Sequence, residues 1–217
     1  MKLEHIKPFD IEQRSFEIIS EELASSGISL DSEKAPFIMR AIHTTADFDY
    51  ISSLAFSNNA IAILKDLIRG GANIVTDTNM AFSGINKTEL GRHGGNAYCY
   101  MSDPTINQIA IDGQVTRSSL CMKKGMRLDG PVIFVVGNAP TALITIREAY
   151  DIGDYKPAFV IGVPVGFVNV IQAKEMILET DIPYIINKGR KGGSNVAAAL
   201  VNAALYEIRK EDNKKTP

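Results

Sequence analysis

The sequence predicts an α/β protein with three layers, in which helices cover both faces of a largely parallel five-stranded sheet. The first observation behind this prediction is a series of short apolar runs, each of strand length. The second is that amphipathic stretches of helical length separate most of these runs, which is the pattern of a parallel sheet with helical crossovers. The third is that glycine, asparagine and proline are common in the loops that follow the runs.

Five apolar runs in the second part of the chain are the predicted strands. They are NIVT at 73–76, AYCYM at 97–101, VIFVV at 132–136, AFVIG at 158–162 and YIIN at 184–187. Runs without polar alternation are typical of strands that are buried on both faces. The clearest amphipathic stretches between and after them predict helices at 141–150, 169–180 and 195–210.

Three further helices are predicted before the first strand. One begins after Asp10, has Gln13 three residues on as in a capping box, and ends at Gly27. The next covers about 33–42. The third starts near Ser57 and ends at the pair of glycines that precedes the first strand.

The length of 217 residues favours a single domain, which we expect to span 1–210, with a charged, frayed tail at 211–217. Hydrophobic residues make up 45% and charged residues 22%, as in an ordinary soluble globule. The formal net charge of −2 provides no overall basic field for nucleic acid.

The two cysteines and the hydropathy exclude several other classes of protein. Cys99 and Cys121 have no metal-like spacing, so neither a zinc cluster nor a disulfide framework is expected. The N-terminal segment lacks the apolar run of a signal peptide, and no stretch approaches the roughly eighteen apolar residues of a membrane helix. We therefore expect a cytoplasmic protein with no metal site and with neither a nucleic-acid nor a membrane partner.

The loops after the predicted strands indicate a ligand site. They read DTNMAFSG, SDPT, GNAPTAL, VPVGF and KGRKGGSN, in chain order. Ligands of parallel sheets bind outside the carboxyl ends of the strands, and glycine there allows close approach of a ligand. Any one of these loops alone is equally well an ordinary turn, but several at one edge of a sheet favour a site.

Several basic residues stand beside small polar residues instead of in solvated charge runs. They are Arg14, Arg40, Arg117, Lys188 and Arg190. This setting suits recognition of carboxylate or phosphate groups, although most surface lysines and arginines serve solubility alone.

The segment GRKGGS before the last helix could hold an anion on exposed backbone N–H groups, with Gly192 and Gly193 in its turn. The spacing of a P-loop is absent, and no GxGxxG follows a strand, so a dinucleotide site is not indicated.

His43 is the candidate for proton transfer among the three histidines. His5 lies in the terminal segment and His93 in a glycine-rich turn. Arg40 precedes His43 by three residues, so both side chains share one helix face. A lone histidine at a helix end is more often a capping or packing residue, and spacing alone leaves both roles open.

The sequence resembles the precorrin-8X methylmutase family, including its cobalt-precorrin-8 branch, from about residue 5 to about residue 209. The similar segments are QRSFEII (13–19), MRAIHTTAD (39–47), GGANIVTDTNMAFSGI (70–85), VTRS (115–118), GNAPTAL (137–143), IGVPVGFV (161–168) and GRKGGSNVAAAL (189–200). Each is weak by itself, but together and in this order they are highly specific.

The resemblance implies a homodimeric α/β isomerase that moves a methyl group from C-11 to C-12 of ring C in a corrinoid macrocycle. It implies that His43 is the catalytic residue and that Arg40 and Ser15 contact the substrate. It also implies no cofactor, since any cobalt belongs to the substrate, and overall resemblance slightly favours the cobalt form. A methyl shift needs a group that exchanges a proton near neutral pH, which suits histidine.

The expected substrate-binding residues combine these loops, basic residues and family segments. They are Arg14, Ser15, Arg40, Thr78, Met80, Arg117, Asn138, Val165, Gly166, Lys188, Gly192 and Gly193. Apolar walls for a flat macrocycle could come from Met80, Phe82, Val165 and Phe167, each of which could equally be a core residue.

Two other functions remain open from the sequence. An enzyme acting on a phosphorylated small molecule would bind phosphate at Gly192, Gly193 and Ser194 and have no affinity for tetrapyrroles. A non-catalytic corrinoid carrier would bind the pigment without turnover and would be insensitive to the loss of His43.

Overall fold

A computed structural model describes the chain from residue 5 to residue 215, apart from the side chains of residues 9 and 215. The strands are β1 Leu54–Phe56, β2 Asn73–Thr76, β3 Ala97–Cys99, β4 Val132–Val136, β5 Phe159–Gly162 and β6 Tyr184–Asn187. The α-helices are α1 Ile11–Ser25, α2 Ala35–Thr45, α3 Tyr50–Ser53, α4 Ala60–Arg69, α5 Asn79–Gly84, α6 Lys87–Gly91, α7 Pro104–Asp112, α8 Arg117–Gly125, α9 Pro140–Asp151, α10 Val170–Leu178 and α11 Ser194–Lys215.

The strands form one sheet in the order β1-β6-β5-β4-β2-β3. The edge strand β1 runs antiparallel to β6, and every other neighbouring pair is parallel. Helices α1, α2, α4 and α11 pack on one face, and α7 to α10 pack on the other. The predicted three-layer fold class is confirmed. No helix within residues 5–215 is long and apolar enough to cross a membrane.

The prediction of five strands was wrong by one, because β1 was assigned to no element. This strand has three residues, too few to show a periodicity, and the helix predicted from near Ser57 begins only at Ala60. Its neighbour β6 holds it in register, with Leu54 opposite Asn187. The predicted strand at 97–101 also ends earlier, at Cys99.

Strand β4 lies in the middle of the sheet, and all of its residues are buried. Ile133 and Val135 pack against the helices of one face, whereas Val132, Phe134 and Val136 pack against those of the other. Successive side chains of a strand point to opposite faces, so an unbroken apolar run is what burial on both faces requires.

The capping box predicted at the start of α1 does not form. Asp10 makes no side-chain hydrogen bond to the helix, and Gln13 instead donates to Glu17 at 3.1 Å. Asp10 ends a short 3₁₀ turn and has helical backbone angles, with φ −99° and ψ −6°. A capping side chain needs extended backbone at its own position, so this turn excludes the box.

Helix α11 continues to Lys215, past residue 211, where the frayed tail is expected to begin. Glu211 accepts hydrogen bonds from Lys65 at 2.7 Å and from Arg69 at 2.6 Å, both on α4. These two cations hold the pKa of Glu211 at about 2, below its ordinary value of 4.5. Residues 216 and 217 of the predicted tail lie outside the described residues.

Asp77 connects the loops that follow β2 and β4 at the carboxyl edge of the sheet. Its buried carboxylate accepts backbone hydrogen bonds from Gly137 at 2.8 Å, Asn138 at 2.8 Å and Ala139 at 2.6 Å. Burial raises the pKa of Asp77, and the three N–H donors oppose that rise. The carboxylate thereby fixes the distance between two loops that leave neighbouring parallel strands.

Gly137 brings the start of α11 against the same loop. A Cβ added at Gly137 would lie 2.6 Å from the Cα atom of Ser194 and 3.0 Å from the Cβ atom of Ala197. Any side chain would therefore push α11 away from β4. Because Asp77 binds the amide of this same glycine, the loops after β2, β4 and β6 all meet at the first turn of α11.

We predict that Asp77→Asn destabilises the fold by about 2–3 kcal/mol. An asparagine offers one acceptor oxygen where the aspartate offers two, so at least one of the three N–H donors loses its partner. Urea unfolding gives the free energy of unfolding, and Asp154→Asn at an exposed aspartate is the matched control. Equal stability of the two variants would contradict the role of Asp77.

We predict that Glu211→Gln lowers the free energy of unfolding by about 0.5–1 kcal/mol at pH 7, the contribution of a partly exposed ion pair. The pKa of Glu211 in the folded protein lies below its ordinary value. This contribution is therefore complete above about pH 4.5 and disappears as the pH falls towards about 2. Urea unfolding at pH 7 and at lower pH should show the difference from wild type shrinking. Glu175→Gln, on the exposed side of α10, should show no such trend.

Candidate active site

A cavity of about 340 Å³ lies beside His43, between α2, α5 and α11. Its lining combines the candidate proton-transfer residue with a cation, amides and apolar groups. The lining residues are Arg40, His43, Thr44, Met80, Gly84, Asn195, Ala198, Ala199, Asn202 and Tyr206. The prediction that Arg40 and His43 share one helix face is confirmed, because both line this cavity.

Phe16 of α1 holds the two predicted site residues of α2. Its ring stacks on the imidazole of His43 with centroids 5.1 Å apart and 28° between the planes. The guanidinium of Arg40 lies over the same ring, 4.7 Å from its centroid, and over the ring of Tyr206 at 5.0 Å. The imidazole is exposed and can therefore meet a ligand, while aromatic contacts fix the directions of both side chains.

Thr78 and Ser194 meet at the first turn of α11, and Asn138 follows Gly137, which packs against that turn. The hydroxyl of Thr78 lies 2.8 Å from that of Ser194 and also caps α5 by accepting from the amide of Ala81. The backbone N–H of Asn138 donates to the carboxylate of Asp77, which holds this loop, and the side chain of Asn138 is exposed. These side chains come from the loops after β2, β4 and β6, as expected for a site at the carboxyl edge.

Gly192 and Gly193 lie where the loop after β6 crosses the loop after β5. Gly192 has a φ of +152°, and a Cβ there would lie 2.0 Å from the carbonyl oxygen of Val163, so only glycine fits. The amide of Gly193 donates to that same oxygen at 2.9 Å. The Gly193 N–H is therefore occupied by the protein and is not exposed for an anion, contrary to the predicted backbone cradle.

Lys174 fixes this glycine loop from inside the protein. Its buried ammonium donates to the carbonyl oxygens of Gly189 at 2.7 Å and of Lys191 at 2.9 Å. Burial lowers the pKa of Lys174 to about 8. The side chain of Lys191 in turn contacts Asp47 at 2.6 Å and Asp49 at 2.5 Å, just after the helix that carries His43. The loop and the end of α2 are thereby linked.

Apolar side chains are exposed around the same edge of the sheet. Met80 is 68% exposed and Phe167 is 84% exposed, and Val165 is also exposed. These three are not core residues, whereas Phe82 is half-buried beneath Lys87. The amide of Gly166 bonds to the carbonyl oxygen of Arg190, so the loop that bears Val165 adjoins the glycine loop. An exposed apolar surface of this kind suits contact with a ligand or a second subunit.

Lys188 and Arg117 do not line the cavity beside His43. Lys188 lines a different cavity, of about 570 Å³, next to the edge strand β1. Arg117 begins α8 on the opposite face of the sheet, and its exposed side chain follows Thr116, which bonds to Thr141 at the carboxyl edge. Within one chain, these two cations are separate from His43.

Arg14 and Ser15 of α1 also lie apart from the imidazole. Arg14 precedes Phe16 by two residues, a rotation of about 200° around a helix, so it faces away from His43. It contacts Glu21 at 3.3 Å and Glu17 at 3.5 Å. The hydroxyl of Ser15 donates to the carbonyl oxygen of Ile11 at 2.9 Å.

Several residues that build this site are absent from the sequence-based prediction. Asp77, Phe16, Lys174 and Tyr206 were not singled out, although each holds a predicted site residue or its loop. A signal existed for Asp77, since an acid directly after a buried strand lies at the ligand edge of a parallel sheet. Among the residues described, no group of three or more His, Cys, Asp or Glu side chains could hold a metal ion.

Comparisons with known proteins agree with this fold. The family model for precorrin-8X methylmutase matches residues 10–207. A cobalt-precorrin-8 methylmutase of Salmonella typhimurium is 42% identical, with 94% of this chain and 97% of that protein covered. A precorrin-8X methylmutase of Pseudomonas aeruginosa is 36% identical, with 91% and 94% covered.

A solved structure gives the same result at the level of the fold. The precorrin-8X methylmutase of Thermus thermophilus superimposes with a TM-score of 0.81 at 34% sequence identity, covering 93% of this chain and 98% of that one. The match includes the residues that line the cavity beside His43, all of which fall within 10–207. The chain therefore belongs to the precorrin-8X methylmutase family, whose members are isomerases that carry out the methyl shift of cobalamin biosynthesis.

Proposed function

We propose that this chain moves a methyl group from C-11 to C-12 of ring C in precorrin-8X or cobalt-precorrin-8, with His43 as the catalytic residue. The products are hydrogenobyrinic acid and cobyrinic acid, respectively. The observation that carries the proposal is an exposed imidazole, stacked on Phe16 beside Arg40, in a cavity at the carboxyl edge of the sheet.

The reaction matches the groups that this cavity offers. The bond from the methyl carbon to C-11 breaks as its bond to C-12 forms, so nothing is oxidised or reduced. His43 protonates ring C or donates a hydrogen bond to it, which stabilises the tautomer from which a 1,5-sigmatropic shift is easiest. Further catalysis comes from holding the ring in the shape of the transition state.

The substrate is a flat macrocycle with carboxylate arms, and the surroundings of the cavity suit both features. A cavity of about 340 Å³ admits one edge of such a ring and leaves the rest outside. The exposed side chains of Met80, Val165 and Phe167 lie where apolar ring faces would pass. Arg40 binds a carboxylate arm, and Thr78, Asn138, Gly166, Gly192 and Gly193 lie within the loops that border the ring.

No resident cofactor enters this proposal, because an intramolecular methyl shift needs neither a hydride nor a second substrate. Any cobalt arrives within the substrate. The name of the Salmonella relative supports the cobalt form as the first substrate to test. We also infer a cytoplasmic location, in keeping with the biosynthetic role of the family.

The two alternative functions are less well supported. An enzyme for phosphorylated compounds would use the amides of the glycine loop, but that of Gly193 is bonded to Val163. A corrinoid carrier would have no need for an imidazole and a guanidinium held on the same aromatic ring. Turnover separates a carrier from an enzyme.

We further propose that the protein acts as a homodimer whose partner completes the site. Arg14 faces away from the imidazole of its own chain, so in this proposal a substrate at that imidazole is contacted by the Arg14 of the other subunit. The apolar side chains of Val165, Phe167 and Val168 are exposed at the open edge, where a second copy would cover both them and the ring. Two-fold dimers are the commonest oligomers.

We predict that His43→Ala lowers turnover by about 10²–10⁴-fold, the typical contribution of a proton-transfer residue. Product binding and the fold should be retained, because the imidazole is exposed and no core contact is lost. The conversion of cobalt-precorrin-8, and then of precorrin-8X, to the corrin product is followed by its visible spectrum. His93→Ala, between α6 and β3 at the amino edge of the sheet, is the matched control and should keep wild-type turnover. Near-normal activity of folded His43→Ala would refute the catalytic role.

We predict a mass close to twice 23.6 kDa in sedimentation at micromolar concentration. Complementation tests the shared site: a subunit with Arg14→Ala and Ser15→Ala is mixed with a subunit carrying His43→Ala. Each mixed dimer contains one site with His43 from one chain and Arg14 from the other, so part of the activity should return. A monomer, or verified mixed dimers without recovery, would contradict the proposal.

A further inference from the structure

Arg40 is already bound to a carboxylate of its own chain. Its Nη1 donates to the Oε1 atom of Glu12, in the first turn of α1. The arginine side chain is 19% exposed, and that of the glutamate is 57% exposed. The cation that we expect to hold a substrate carboxylate therefore has an internal partner of the same chemistry.

The ion pair borders a second cavity, which we call the outer cavity. This cavity, of about 540 Å³, separates α1 from α2 and α11 and is lined by Glu12, Arg40 and Tyr206. Arg40 and Tyr206 also line the cavity beside His43, whereas Glu12 does not. Arg40 thus borders both cavities, and Glu12 reaches its guanidinium from the outer one.

The aromatic rings around Arg40 keep its guanidinium in place while a ligand carboxylate replaces that of Glu12. Phe16 and Tyr206 hold the guanidinium at 4.7 and 5.0 Å from their ring centroids, on surfaces that do not involve Glu12. A guanidinium carries five N–H donors in one plane, so a second carboxylate can bind it as the first leaves. Glu12 is mostly exposed, and such pairs are weak because solvent screens them.

We propose that Glu12 is an affinity-setting residue, which occupies the carboxylate position at Arg40 and is displaced by a carboxylate arm of the corrinoid. This inference rests on the proposed role of Arg40 in substrate binding. Glu12 thereby keeps the guanidinium of Arg40 paired in the ligand-free enzyme, and it weakens the binding of every ligand that contacts this guanidinium. Its removal should tighten binding, and this gain is an effect that damage to the fold would not produce.

The test is a titration of the enzyme with hydrogenobyrinic acid, followed by the visible absorbance of the corrin. Glu12→Gln keeps the size of the side chain and removes its charge, and it should lower the dissociation constant by about two- to fivefold. Glu207→Gln is the matched control, since Glu207 lines the same outer cavity but binds Lys210, at 2.6 Å. It should leave the dissociation constant unchanged.

A double-mutant cycle assigns the effect to Arg40. Arg40→Ala should raise the dissociation constant by about tenfold or more, and Glu12→Gln should then have no further effect. If Arg40→Ala weakens binding but Glu12→Gln leaves it equal or weaker, the inference about Glu12 is overturned while the role of Arg40 stands. If Arg40→Ala itself leaves binding unchanged, the proposed role of Arg40 fails and the inference fails with it.

Discussion

The buried carboxylate of Asp77 is the interaction on which the arrangement of the site depends. Parallel strands bring their carboxyl ends to one edge, but they do not by themselves fix the loops that follow. Asp77 does so by accepting three N–H groups from the loop after β4, including that of Gly137. Gly137 then allows Ser194 and the rest of the first turn of α11 to approach. An acid in this position is stable only because its hydrogen bonds offset the loss of water.

Near Asp77, contacts with the rest of the protein support the glycine loop and the functional side chains, and the surface that faces a ligand remains open. Lys174 binds the glycine loop by its carbonyl oxygens from inside the protein. Phe16 performs the same task for His43 and Arg40, contacting both while the imidazole remains exposed. Support from buried groups limits the movement of the functional side chains, which is what a reaction governed by orientation requires.

The sequence was sufficient for the elements with strong local signals. The run 132–136 is apolar throughout because β4 is buried on both faces, so its position needed no tertiary information. Strand β1 has three residues and exists through its pairing with β6, which no local pattern shows. The partners of Asp77 lie sixty or more residues away along the chain, and Glu12 meets Arg40 across 28 residues. Contacts between such distant residues depend on packing, which is why the loops predict a site at this edge of the sheet but not the residues that support it.

The most direct test of the account is a structure of the protein with hydrogenobyrinic acid bound. Ring C should lie within hydrogen-bonding distance of the His43 imidazole, with a carboxylate arm of the corrin on the guanidinium of Arg40. The macrocycle should extend over Met80 and the loop that bears Val165. A corrin bound instead in the cavity beside β1, next to Lys188 and with His43 uncovered, would contradict the central claim.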